Sequence, residues 1–150
     1  APNGCAIVHS DSSEGIQRYL ERYDHLLDVP EIGEHDLDRR IAALVEARQR
    51  FWETIEPMAR LARAQAVTVP ELDAALGRVR ATLTDQVGEH FAPELAALRP
   101  ARRREVTALV AALTSYETWE QLRRQGIDRA TVGRSMRLGV ERLLAPGIPM

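Results

Sequence analysis

Three polar side chains fall on otherwise apolar helical stripes, which makes them the residues best placed to do chemistry. In the progression Leu37, Ile41, Leu44, Arg48, Phe51, Ile55, Met58 the steps are three and four residues, so one face of a helix carries them all. Arg48 therefore points inward. A guanidinium left unpaired in an apolar interior costs several kcal/mol. Three outcomes satisfy it: an internal ion pair with a carboxylate, snorkelling to the edge of the core, or donation to a ligand inside a pocket. A second stripe, Leu76, Val79, Leu83, Gln86, His90, carries two polar members one turn apart. Gln86 and His90 either share a cavity or are satisfied in the core. Aromatic residues are few, and Phe51, Trp52, Phe91, Tyr116 and Trp119 are the candidates for a pocket wall or a packed core.

Other chemistries lack their residues. The four histidines, His9, His25, His35 and His90, show no His-Glu-x-x-His spacing and no Glu/His pairs repeated three apart, so no metal ligands are nominated. Cys5 is the single cysteine, which excludes an intramolecular disulfide and a cysteine zinc cluster. There is no Gly-rich phosphate loop and no Gly-x-Ser-x-Gly elbow. Glu34-His35-Asp36 reads as helix capping and dipole complementarity. Arg102-Arg103-Arg104 reads as a solvated face beside Glu105 rather than a phosphate contact. Carboxylates elsewhere neighbour arginines at helical spacing. No catalytic residue and no cofactor is expected.

The elements that must position these residues are helical. The chain has 150 residues with 45% hydrophobic and 28% charged, enough apolar material for one core. A net charge of −2 gives no electrostatic footprint for nucleic acid. All twenty basic residues are Arg and the only Asn is Asn3, a bias in keeping with GC-rich coding DNA. Ala, Leu, Glu and Arg dominate, and period-2 alternation is absent, so strands are not expected. Asp11 with Glu14 reads as the start of a helix running to about Asp28. Asp36 opens a second helix, which Pro57 is expected to kink or break, leaving a short helix from Met58 to about Ala66. Pro70 starts a helix ending before Pro93. One long helix is predicted from Pro100-Ala101 to about Gln125, apolar on two sides (Val106, Leu109, Val110, Leu113; Ala108, Ala111, Ala112) and ended by Gly126. Asp128 caps the last helix, which stops at Pro146-Gly147.

The segment from Tyr116 to Ala130, Tyr-Glu-Thr-Trp-Glu-Gln-Leu-Arg-Arg-Gln-Gly-Ile-Asp-Arg-Ala, resembles the junction of the last two helices in the TetR family of bacterial transcriptional regulators. Val69 to Leu98, with Phe91-Ala92-Pro93-Glu94-Leu95 before an Arg-rich turn, is similar to that family's ligand-domain helices. Gly4 to Ile16 aligns without gaps with the family's recognition-helix pattern through Gly4, His9, Ser12 and Glu14. Ile7, Ser10 and Ser13 replace its aromatic, Phe and Lys positions.

The resemblance implies an all-α multi-helix bundle of the TetR C-terminal ligand-binding type. Residues 1–11 would be a remnant of the DNA-binding module or a linker, and residues 12–150 a ligand-binding and dimerisation domain. The implied partners are a second copy of the chain, a small, largely apolar effector, and operator DNA through a helix-turn-helix mostly absent from this sequence. Ligand contacts would come from Arg48, Trp52, Ile55, Met58, Leu83, Gln86, Val87, His90, Tyr116 and Trp119. The homodimer interface would use Val106, Leu109, Val110, Leu113, Val132, Met136, Gly139, Val140 and Leu143, with Gly139 allowing close helix approach. The lone Cys5 fits a reducing cytoplasm, the expected location, and no membrane contact is expected, because no apolar run reaches the ~20 residues of a bilayer span. The rival reading is a helical protein–protein interaction module without a small ligand. A cavity at Arg48, Trp52, Leu83, Val87 and Tyr116 favours the sensor, and solid packing there favours the rival.

Overall fold

A computed structural model describes residues 14–146 except 17 and 20; Gly4, Cys5, His9, Asp11, Ser12, Ser13 and Gly147 lie outside the described residues. So does the expected remnant at 1–11. The described residues form helices joined by turns and short irregular segments, without a strand. Helical residues between 14 and 22 lead into a single 3-10 turn, Asp24–Leu27. The bundle then comprises α1 (Leu37–Ala66), α2 (Pro70–His90), α3 (Ala92–Ala96), α4 (Pro100–Leu113), α5 (Tyr116–Arg124) and α6 (Arg129–Leu144).

Local chemistry explains most boundaries. The Asp36 carboxylate accepts the Arg39 N–H at 2.9 Å, and the Asp128 carboxylate accepts that of Thr131 at 2.8 Å, so both helices start on capped turns. Pro70 sits in the first turn of α2, where its missing N–H costs nothing. Gly126 adopts φ +80° after α5, a left-handed position that favours glycine, and the Ile127 N–H closes back onto Leu122 O.

Two expected boundaries are corrected. Pro57 does not break its helix: α1 is continuous over 30 residues, with Pro57 on its exposed side. Burial of Ile55, Ala59 and Ala62 on the opposite face outweighs one lost backbone bond. Conversely, the long helix expected to reach Gln125 is two. It stops at Leu113 and restarts at Tyr116. Thr114 Oγ1 donates to Val110 O at 2.9 Å, and Ser115 Oγ donates to Ala112 O at 2.7 Å while capping Thr118 N–H. Hydroxyls offer the backbone an alternative to the helical ladder, and two in succession end it here. Trp52 Nε1 then donates to Thr114 O at 3.0 Å, satisfying a carbonyl released by the break.

Helix α1 is the central element, packing on α2, α5, α6 and the 3-10 turn, while α4 bridges α2 and α6. It contributes to all three buried clusters. Val45, Phe51, Trp52 and Ile55 join Leu83, Tyr116, Trp119, Val132 and Met136. Ile41 and Leu44 join Val87, Phe91, Val106, Val110 and Val140. Ala62 joins Ile16, Leu72 and Leu76. None of the helices among the described residues is long and apolar enough to cross a membrane.

Candidate functional site

Arg48 is buried, as its stripe requires, but its partners are not carboxylates. Nη1 donates to Gln86 Oε1 at 2.8 Å and Nη2 to Leu83 O at 3.2 Å. Burial without a counter-ion lowers its pKa to about 10, which leaves the guanidinium charged at neutral pH. Gln86 passes the connection on, donating from Nε2 to Leu27 O at 2.8 Å. A chain of hydrogen bonds thus runs from the middle of α1 through α2 to the turn behind the N-terminal helical residues.

His90 lies one turn further along α2 but serves a different network. Its Nδ1 accepts the Gly33 N–H at 2.8 Å, so the ring proton sits on Nε2 and is donated to Arg40 O at 2.7 Å. Burial, with Arg40 and Arg48 nearby, pushes the imidazole pKa below its ordinary value. Arg40 itself is buried, donating to His35 O and His90 O and pairing with Glu94. Gln86 and His90 therefore do not share a cavity.

At the expected pocket the aromatic residues pack on one another. Trp52 and Tyr116 meet edge to face with centroids 5.8 Å apart, and Tyr116 and Trp119 lie 6.0 Å apart. The gap beside them, bordered by Trp52, Ile55, Leu76, Leu83 and Tyr116, holds about 30 Å³. That volume takes one or two waters and falls far below a small-molecule pocket of roughly 300–1,000 Å³. Ile55, Leu83 and Trp119 belong to the same cluster, whereas Val87 lies in the second cluster and Met58 packs, half-buried, on the third. At its rim Arg63 stacks over the Tyr116 ring, 4.2 Å from the centroid. Arg63 Nε and Arg80 Nη2 both donate to Glu117 Oε1, at 2.8 and 3.1 Å. Partial burial raises the Glu117 pKa, but the two guanidiniums outweigh it and hold the carboxyl at about 2.

The residues expected at a dimer interface divide by exposure. Val106, Val110, Val132, Met136 and Val140 are buried within the protomer, where no second copy can touch them. Leu113, Gly139 and Leu143 are half-buried, and Leu109 is 42% exposed. Leu138, not anticipated, is 53% exposed on α6. A Cβ on Gly139 would overlap the Leu113 side chain, and one on Gly133 would lie 2.7 Å from Gln49 Nε2. Both glycines thus permit close approach inside the chain, between α6 and its own neighbours α4 and α1.

Arg40, Arg63, Arg80 and Glu117 escaped the sequence reading. Arg40 had a signal, since it lies three residues after Leu37 and four before Leu44, a spacing that puts it beside the stripe carrying Arg48. The other three had none: Glu117 lies 54 and 37 positions from its partners. In the basic run, Arg102 is exposed and pairs with Glu105, as expected, but Arg103 donates to Leu95 O and Leu98 O, closing the end of α3. Among the described residues Glu31, Glu34 and His35 bring three possible metal ligands together, all exposed. A side-chain hydrogen bond between His35 Nε2 and the Glu31 carboxylate accounts for the proximity of those two. Comparison with family models, curated proteins and solved structures finds no match to this chain.

Proposed function

We propose that this chain is the effector-sensing and dimerisation domain of a TetR-like bacterial transcriptional regulator, acting in the cytoplasm, with DNA contacted by a module outside residues 12–150. The observation that carries the reading is the hydrogen-bonded chain from the buried Arg48 through half-buried Gln86 to Leu27 O. It ties the bundle's interior to the segment that would lead to the DNA-binding module. A small, largely apolar effector entering between α1, α2 and α4 competes for Gln86 or displaces Leu83, and the turn at Leu27 moves. Transmission requires that the effector bind the two positions with different free energies. Dimerisation uses the exposed apolar residues of α4 and α6, Leu109 and Leu138, so that two copies set the spacing of two recognition helices.

The test is selection of bound fragments from chromosomal DNA by the gene's full product. Enrichment of a palindrome with half-sites one helical turn apart is expected. No enrichment refutes the regulator. In parallel, light scattering on this chain should give a dimer that Leu109→Glu converts to monomer. Gly139→Arg does not serve this purpose, because it clashes with Leu113 inside the protomer.

The packed interior favours a second reading, a helical protein–protein interaction module using the outer face of α4 without a small ligand. In that case the chain captures neither DNA nor small apolar compounds.

A further inference from the structure

Helices α2 and α4 border a groove of about 300 Å³, walled by Leu83 and Thr84 on one side and by Ala108, Ala111 and Ala112 on the other. That volume is at the lower end for small-molecule sites. Polar groups with charge border it only through Arg80 and Glu117. Together with Leu83 and Ser115, these two also border the small gap beside Trp52 and Tyr116, so groove and gap adjoin. Two guanidiniums, those of Arg63 and Arg80, converge on one oxygen of Glu117, a single carboxylate between two cations. One positive charge is left over where the apolar walls end. The site is amphipathic: an apolar groove ending at two guanidinium donors that the chain's own carboxylate already occupies.

We infer that this groove binds an aliphatic carboxylate, its chain laid along Leu83 and the α4 alanines and its anionic end on Arg80 and Arg63 in place of Glu117. Glu117 is then an internal competitor, which swings out to half-exposed solvent when the ligand arrives. Arg63 keeps its stacking on Tyr116 and changes only its carboxylate. Displacing Glu117 loosens the start of α5, and crowding Leu83 reaches the carbonyl to which Arg48 donates. As an account of the effector, an anionic amphiphile, this rests on the regulator reading; binding itself does not.

Isothermal titration with decanoate, decanol and acetate, each below any micellar concentration, tests it, with circular dichroism confirming that every variant folds. Decanoate should bind once per chain, and more tightly than decanol or acetate. Arg80→Gln should weaken decanoate about tenfold, the scale of one charged hydrogen bond, and leave decanol unchanged. Glu117→Gln should strengthen decanoate by about the same factor, the result a merely structural ion pair would not produce. Ala108→Phe should block both alkyl probes. Equal binding of decanoate and decanol, or a Glu117→Gln variant with unchanged or weaker decanoate binding, overturns the site. So does Ala108→Phe altering the oligomeric state while no alkyl probe binds, since the groove is then a contact between copies. DNA selection that fails while decanoate binds removes only the regulator; selective DNA binding without decanoate binding removes only this ligand class.

Discussion

His90 can stay in the core only as a neutral ring, because its Nδ1 lone pair holds the Gly33 N–H. Protonation would set donor against donor, with Arg40 and Arg48 of α1 adding repulsion and the Glu94 carboxylate already committed to Arg40. The folded pKa is depressed, so the unfolded chain binds the extra proton first as pH falls. Stability is therefore complete above the unfolded histidine value of about 6.5 and declines as pH drops from there towards the folded pKa. Urea midpoints at pH 7.5 and 5.5 should differ, and His90→Gln should flatten the difference while lowering both midpoints. An unchanged slope in the variant would assign the effect to other groups. Gln86→Leu should cost about 2–3 kcal/mol in urea unfolding, because the charged Arg48 loses a neutral acceptor and Leu27 O its donor. Sequence periodicity located Arg48 and His90 correctly, since helical spacing states which way a side chain faces. It was silent on partners, which come from other segments of the chain 35 to 57 positions away.

Among the elements, α1 shows how burial overrides local propensity. Pro57 sits on the exposed side of a helix held by Trp52, Ile55, Ala59 and Ala62 beneath it. Replacing it restores a backbone bond without touching the core, so Pro57→Ala should stabilise the chain by about 1–3 kcal/mol, read as a higher thermal midpoint. A lower midpoint would mean that the proline shapes the helix to fit its neighbours. The caps at Asp36 and Asp128 and the stop at Gly126 were legible because each acts through its own immediate backbone. The break at Thr114 and Ser115 was hidden in an alanine- and leucine-rich run whose propensity favours one helix. Only Trp52, 62 positions earlier, supplies the donor that completes it.

At the scale of the molecule, the three apolar clusters are not separable units, because α1 supplies residues to each. Unfolding should therefore be a single transition. Tryptophan fluorescence, which reports Trp52 and Trp119, should share its denaturant midpoint with far-ultraviolet circular dichroism. Distinct midpoints would show that part of the bundle melts alone. The class of fold was readable from composition and periodicity, while the filled interior and the groove outside it were not. How closely aromatic rings interlock depends on the angles between helices, which no stripe of residues encodes. The indole of Trp52 has one more consequence. By holding the peptide carbonyl at the corner between α4 and α5, it latches a bend from a third helix. Any motion that swings α5 away from α4 must stretch that latch, so the emission of Trp52 is a built-in gauge of the angle at the corner.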